Sequence, residues 1–288
     1  MKDFNNKVAA ITGAGSGIGQ QLAVLLAKQG AHLSLSDINQ QGLAKTVELL
    51  NSYPVKVTTT TLDVSDRAAM AAWAAATVKD HGKVNLIFNN AGVALGSTVE
   101  GTDYADLEWL MGINFWGVVY GTKEFLPHLK ASGEGHVVNI SSLFGLTAQP
   151  SQSAYNASKF AVRGFTESLR QELDIQKNGV SATCVHPGGI RTNIALAARM
   201  HDSIRSLGME PEKAGKQFNK LLRTPPEEAA RQILKAVANN DRRLLIGNDA
   251  KAIELMQRLL PSGYQKVMAY GSMLQQRKAK SRADKKAG

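Results

Sequence analysis

The run Thr12-Gly13-Ala14-Gly15-Ser16-Gly17-Ile18-Gly19 constrains the fold more than any other stretch, because of what flanks it. A β-type apolar run at 7–12 (KVAAIT) leads into it, and a helical pattern over 18–29 leads out. Glycine at 13 permits a sharp turn, at 17 lets backbone come close to a pyrophosphate, and at 19 lets helix pack tightly on strand. The helix start then offers unpaired N–H groups and partial positive charge to phosphates. A bare glycine cluster is also compatible with a turn that binds nothing. Its position between a strand and a helix is what points to a dinucleotide.

The same alternation continues along the chain. Further β-rich runs fall at 32–36, 55–62, 84–88, 136–140, 180–185 and 243–246, with helical patterns at 40–52, 67–79 and 155–176. Strand, helix, strand in this rhythm implies right-handed crossovers and a doubly wound, seven-stranded parallel α/β sheet covered by helices on both faces. No repeat or linker divides the chain, so residues 1–250 are expected to form one domain. A long insertion lies at 193–223, and 251–288 is read as a helical extension ending in a basic tail.

Composition excludes several classes. The chain has 288 residues, 43% hydrophobic and 20% charged, which rules out wholesale disorder. No apolar run approaches the ~18 residues a spanning helix needs, and Met1-Lys2-Asp3-Phe4 lacks a signal peptide's apolar core. A single cysteine, Cys184, cannot form an internal disulfide and reads as a core residue, which fits a cytoplasmic location. The six histidines show no metal-ligand spacing, so no metal is expected. The net charge is +10, but residues 277–288 carry six Lys/Arg against Asp284 alone. The body is therefore only mildly basic, and nucleic acid is not an expected partner.

Asp37 closes the second strand, 18 residues after Gly19. An acid there can accept hydrogen bonds from adenosine ribose hydroxyls. It also repels a 2′-phosphate, by about 1–3 kcal/mol after solvent screening, and neither Ser16 nor Ile38 supplies a compensating cation. NAD is expected over NADP. Asp37 can serve at the same time as the N-cap of the next helix.

Tyr155-Asn156-Ala157-Ser158-Lys159 places Tyr155 and Lys159 one turn apart on a helix face. A free phenol has a pKa of about 10, and a lysine cation at ~4 Å could bring it towards 7. Such a pair standing alone is usually a surface pair. Here Ser142 lies just past the fifth strand, where open parallel sheets bind ligands, with Asn114 in the preceding helix and Asn89-Asn90-Ala91-Gly92 after the fourth strand.

With these elements in this order, the chain resembles the classical short-chain dehydrogenases/reductases (SDR). The resemblance runs from Lys7 to about Gly247. It comprises the TGxxxGxG turn, Asp37, Asp63-Val64, the NNAG segment, Asn114, Ser142, the YxxxK pair, and Pro187-Gly188 with Thr192. It implies a Rossmann fold and hydride transfer between a nicotinamide cofactor and a secondary alcohol or ketone. Tyr155 would be the general acid/base, with Lys159 lowering its pKa and holding the nicotinamide ribose. Ser142 would bind the substrate oxygen, and Asn114 would hold a water in a proton relay. Ser141 reads as structural. Cofactor contacts would come from Gly13, Ser16, Gly17, Ile18 and Gly19 in the turn, and from Asp37 on the ribose. Asp63 and Val64 would meet the adenine, with Asn90, Ala91 and Gly92 beside it. Pro187, Gly188, Ile190 and Thr192 would fix the nicotinamide. His186 reads as a hydrogen-bonded buried histidine near that edge.

In this family the 193–223 stretch sets specificity. Leu196, Met200, Ile204 and Leu207 recur at helical spacing, which predicts an amphipathic helix, with Gly208 and Gly215 as hinges. Such a lid, with Leu95, Leu143 and Phe144, suits a lipophilic substrate: a steroid, or a long-chain or cyclic compound. Simple packing on the domain explains the pattern equally well. Two other functions remain open, a 3-oxoacyl-thioester reductase and a non-catalytic NAD-binding sensor. The resemblance also implies a homodimer or homotetramer, paired through the helices bearing Asn114 and Tyr155. The basic tail reads first as a solvated end, next as an adhesion to anionic membrane and last as a nucleic-acid contact; its apolar neighbours Val267, Met268, Tyr270, Met273 and Leu274 fit the membrane reading and a packed helix at a subunit contact alike.

Overall fold

The structure, a computed structural model, describes residues 1–274. Among them, seven strands form one all-parallel sheet: β1 (Val8–Thr12), β2 (His32–Asp37), β3 (Val57–Thr61), β4 (Leu86–Asn89), β6 (Gly135–Ile140), β7 (Val180–Pro187) and β9 (Arg243–Ile246). The order is β3-β2-β1-β4-β6-β7-β9, so the chain reverses its winding between β1 and β4. That reversal opens a crevice beyond the carboxyl ends of those strands, the usual ligand position in a doubly wound sheet.

Strand alternation splits the core in two. Ala9 and Ile11 face a cluster with Leu22 and Leu26 of α1 (Gly17–Lys28), Leu33, Leu35, Phe88 and Ile233 of α8 (Pro226–Asn239). Val8 and Ala10 face Trp73 of α3 (Arg67–His81), Ile87, and Phe125 of α5 (Gly117–Ala131). Trp73 and Phe125 meet edge-on, with ring centroids 4.9 Å apart. Truncating either would cost about 3–5 kcal/mol through the cavity left behind. Between β2 and β3 lies α2 (Gln40–Leu50), whose N-cap is Asn39, accepting from Gly42 N. Asp37 is therefore not that cap. It accepts instead from Asn39 N (2.8 Å), one step earlier.

The amphipathic helix expected over 196–207 does not form. Arg199–Met200 is extended (β8) and pairs in parallel with Leu95–Gly96 (β5). Arg199 N donates to Ala94 O and His201 N to Gly96 O. The Arg199 guanidinium lies 3.5 Å over the Trp109 ring and 2.6 Å from the Asp106 carboxylate, both in α4 (Tyr104–Met111). Main-chain pairing and this clamp outweigh helical periodicity, and of the four apolar positions only Ile204 is fully buried while Leu196 is exposed. A 3-10 turn follows at Asp202–Leu207, ended by Gly208 in the left-handed region (φ 72°). After it comes α7 (Pro211–Asn219), which contains Gly215.

After β9, Gly247 (φ 97°) turns the chain into α9 (Asn248–Leu259), and residues 263–274 are helical. The basic tail at 277–288 lies outside the described residues.

Candidate active site

The glycine turn is built as its sequence requires. Gly13 and Gly17 have φ of 65° and 56°, which disfavours any side chain there. A Cβ on Gly19 would lie 2.2 Å from Gly13 O, so helix and turn touch. The Ser16 side chain makes no capping bond, so the first N–H groups of α1 keep their capacity for an anion. Thr12 Oγ1 accepts from Asn90 N and Ala91 N, and Asn90 Nδ2 donates to Thr12 O, fastening the NNAG segment to the turn. Asp37 Oδ2 accepts from Gly15 N at 2.8 Å, so its carboxylate sits at the mouth of the same turn. Asp63 Oδ1 is held by Ser65 N and Oγ, and Val64 is buried beneath Gly117. Opposite, the Thr192 methyl lies 3.1 Å from where a Gly17 Cβ would stand, and Ile190 is buried and bridged to Thr224. The glycine turn, Asp37, the NNAG segment and Thr192 thus meet at the carboxyl ends of β1 and β4.

The catalytic candidates gather at the end of β6. Ser142 follows β6 in extended backbone, and its Oγ accepts from Phe144 N, capping a short 3-10 turn. Tyr155 and Lys159 stand in α6 (Ser153–Gln176), where Ser141 Oγ donates to Lys159 O (2.8 Å), the structural role expected of it. Lys159 Nζ is buried, donates to Ile140 O (3.0 Å) and lies 5.7 Å from the Tyr155 ring centroid. Asn114 occupies a one-turn π-helix, Gly112–Trp116, between α4 and α5. Such a bulge re-aims a side chain. The Asn114 amide brackets Val93, accepting from its N and donating to its O. A Cβ on Gly92 would lie 3.2 Å from Asn114 Oδ1 and 3.5 Å from Lys159 Nζ, so glycine at 92 keeps the gap between them open.

Burial raises the Tyr155 phenol above its ordinary pKa, and the nearby Ser142 hydroxyl draws it back. Burial lowers Lys159 to about 8, which leaves it mostly a cation at neutral pH. With the protein's own groups alone, Tyr155 is a proton donor at neutral pH.

Other residues gain definition. His186 Nδ1 lies 3.0 Å from Ser142 O; a carbonyl only accepts, so Nδ1 carries the proton. Its Nε2 is buried with no partner, and burial pushes the pKa down to about 4, so the ring is neutral. Cys184 is buried and its thiol is pushed up to about 12, an inert core residue. Asp249, in the first turn of α9, gave no sequence signal. Its Oδ2 accepts from Gly189 N at 2.7 Å, and a Cβ on Gly188 would lie 2.4 Å from its Oδ1, so it braces the Pro-Gly turn from behind. No spacing rule reaches from that turn to a helix 60 residues on.

Residues 7–202 match the family model described as short chain dehydrogenase. The chain belongs to the short-chain dehydrogenase/reductase family. It is 48% identical over 272 residues to a Mycobacterium tuberculosis protein named as the oxidoreductase SadH, covering 94% of this chain and 97% of that one. It is 35% identical over 219 residues to levodione reductase of Leifsonia aquatica, covering 75% and 79%. Among solved structures, a short-chain dehydrogenase/reductase from Burkholderia phymatum in complex with NAD superposes with a TM-score of 0.82 at 32% identity, covering 90% of this chain and 95% of that one. In this short-chain dehydrogenase/reductase, then, the sheet, the glycine turn and the Ser142, Tyr155 and Lys159 cluster share one crevice.

Proposed function

We propose that this chain is an NAD-dependent oxidoreductase that interconverts a lipophilic secondary alcohol and its ketone. The observation that carries the reading is that Lys159 Nζ lies 5.7 Å from the Tyr155 ring, while Phe144, whose N donates to Ser142 Oγ, packs on that ring at 6.0 Å. Bound there, NAD would accept or supply the hydride. Gly13, Ser16, Gly17, Ile18 and Gly19 would hold its pyrophosphate and Asp37 its adenosine ribose, with Asp63, Val64, Asn90, Ala91 and Gly92 on the adenine side. Pro187, Gly188, Ile190 and Thr192 would orient the nicotinamide.

The chain's own part is acid–base chemistry. In reduction, Tyr155 Oη gives its proton to the carbonyl oxygen, which the Ser142 hydroxyl also binds as it gains charge. Lys159, an ammonium, would return a proton to Tyr155 and be reprotonated through a water held by Asn114. In oxidation the same groups run in reverse. Phe144 packs on Tyr155 and meets Phe218 of α7, which sets apolar side chains beside the phenol and supports a lipophilic substrate. A homodimer or homotetramer is supported by exposed aromatic surface at Trp116, the last residue of the π-helix before α5, and at Phe160 of α6.

Secondary alcohols assayed with NAD and NADP, beside Tyr155→Phe, test the reading. Turnover with NAD, tenfold or more weaker with NADP, and lost in the Phe variant, supports it. An active Phe variant would remove Tyr155 from the chemistry, and an NADP preference would overturn the role of Asp37.

A further inference from the structure

The acid–base chemistry leaves His186 unused, yet its ring is bonded to Ser142. The pairing of β6 with β7 ends at Ile140 opposite Val185, and Ser141 N closes it with a bond to Val185 O (2.8 Å). Pro187 follows on β7 and has no N–H with which to extend the ladder. Past that point the His186 side chain takes over, its Nδ1 donating to Ser142 O at 3.0 Å. Phe144 N and Gly145 N also donate to Ser142, but both belong to its own 3-10 turn and travel with it. His186 is what ties that turn across to β7.

The ring is suited to this one bond. His186 is fully buried, and its Nε2 finds no partner among the described residues. A proton on Nε2 in place of Nδ1 would leave two acceptors facing each other, so the site selects the Nδ1–H tautomer. Burial, with the Arg163 and Arg243 cations nearby, keeps a second proton off the ring. Lys159 Nζ holds Ile140 O, two residues before Ser142 O, so side chains of α6 and β7 pin alternate carbonyls of one strand end. His186 also directly precedes Pro187-Gly188. Its single bond thus joins the hydroxyl proposed to bind the substrate oxygen to the strand whose turn is proposed to orient the nicotinamide. A displacement of about 1 Å between two such groups is enough to slow a reaction on the order of a hundredfold.

We propose that His186 is a positioning residue for the alcohol–ketone reaction, its Nδ1–H fixing Ser142 relative to the Pro-Gly turn. The proposal rests on the function proposed above. Its test is steady-state ketone reduction by His186→Leu and His186→Asn, each alone and combined with Ser142→Ala. Leucine removes the donor, whereas asparagine can place its Nδ2 where Nδ1 stands. In the Leu variant kcat should fall at least tenfold with KM for NADH within threefold, and Asn should restore kcat to within threefold of the parent. Combined with Ser142→Ala, the Leu substitution should cost no more than twofold further, because no hydroxyl is left to misplace. His186→Gln, whose amide stands one carbon further out, should repeat the Leu loss, and it takes the place of Leu if far-UV CD shows that variant unfolded. An unchanged kcat in these variants would overturn the proposal. So would an equal tenfold loss on the Ser142→Ala background, which would assign His186 to the fold at large. A parent enzyme that turns over no alcohol or ketone would instead overturn the dehydrogenase reading, and the proposal with it.

Discussion

Phe144 stands edge-on to Tyr155, their ring centroids 6.0 Å apart and their planes at 90°. On its other side Phe144 meets Phe218 of α7 at 6.3 Å. An aromatic series thus runs from the 193–223 segment to the phenol that is proposed to move the proton. Burial of one aromatic ring against substrate contributes about 1.5–3 kcal/mol. Phe218→Ala should therefore raise KM for an apolar secondary alcohol roughly ten- to a hundredfold. Since Phe218 does not touch Tyr155, kcat should change little. Steady-state kinetics over an alcohol series check this, and an unchanged KM would detach α7 from the substrate.

The raised phenol predicts opposite pH responses in the two directions. Ketone reduction needs the protonated Tyr155 and should be level from neutral pH downward, falling as the phenol ionises. Alcohol oxidation needs the phenolate and should climb from pH 7 into the alkaline range. Ser142→Ala removes the hydrogen bond that pulls the phenol down, so the oxidation profile should move further alkaline. It should also lower kcat about a hundredfold through lost stabilisation of the substrate oxygen. Rate profiles measured in both directions decide this.

Asp249 should matter through geometry. Asp249→Ala leaves Gly189 N without its acceptor and opens the back of the Pro-Gly turn, while Asp249→Asn keeps an acceptor oxygen. A lost bond to a charged acceptor costs about 1.5–3 kcal/mol. The Ala variant should raise KM for NAD more than tenfold while the Asn variant stays within a fewfold. Equal losses in both would mean that charge, not the hydrogen bond, is what counts.

Two buried neutral histidines set an acid limit on stability. His136 Nε2 lies 2.8 Å from Thr183 Oγ1, whose own proton goes to Asp241 O. Burial lowers His136 to about 3 and His186 to about 4, from 6.5. The unfolded chain binds protons below pH 6.5 that the folded chain refuses until about 4 and then 3. Stability is thus full above 6.5 and is lost as pH falls below it, by about 1.4 kcal/mol per pH unit for each histidine. Urea midpoints at pH 7, 6 and 5 should fall in step, and His136→Asn should halve the slope.

The sheet was legible because its cause is local. Each of the seven runs is dense in apolar or β-branched residues, and their separation by helical patterns leaves few topologies. Asn114, Ser142, Tyr155 and Lys159 were legible because one turn of helix or one strand end fixes each. The sequence misled where distant main chain decides. Leu196 and Met200 follow helical spacing, yet Met200 is claimed by Gly96, over a hundred residues away. Asp249 was missed for the same reason, and the upward pull of burial on the Tyr155 phenol is a property of the assembled core.

The pairing of Arg199–Met200 with Leu95–Gly96 divides the 193–223 segment mechanically. Its first half is sewn to the sheet side by backbone bonds and the guanidinium on Trp109. In its second half Arg205 joins Asp202, Glu210 and Glu212, while Thr98 N donates to Ser203 Oγ, Phe218 meets Phe144, and Arg223 N donates to Gly189 O. The segment beside Tyr155 is therefore pinned at both ends, and loosening either set of ties should reshape the approach to the phenol without unseating the other.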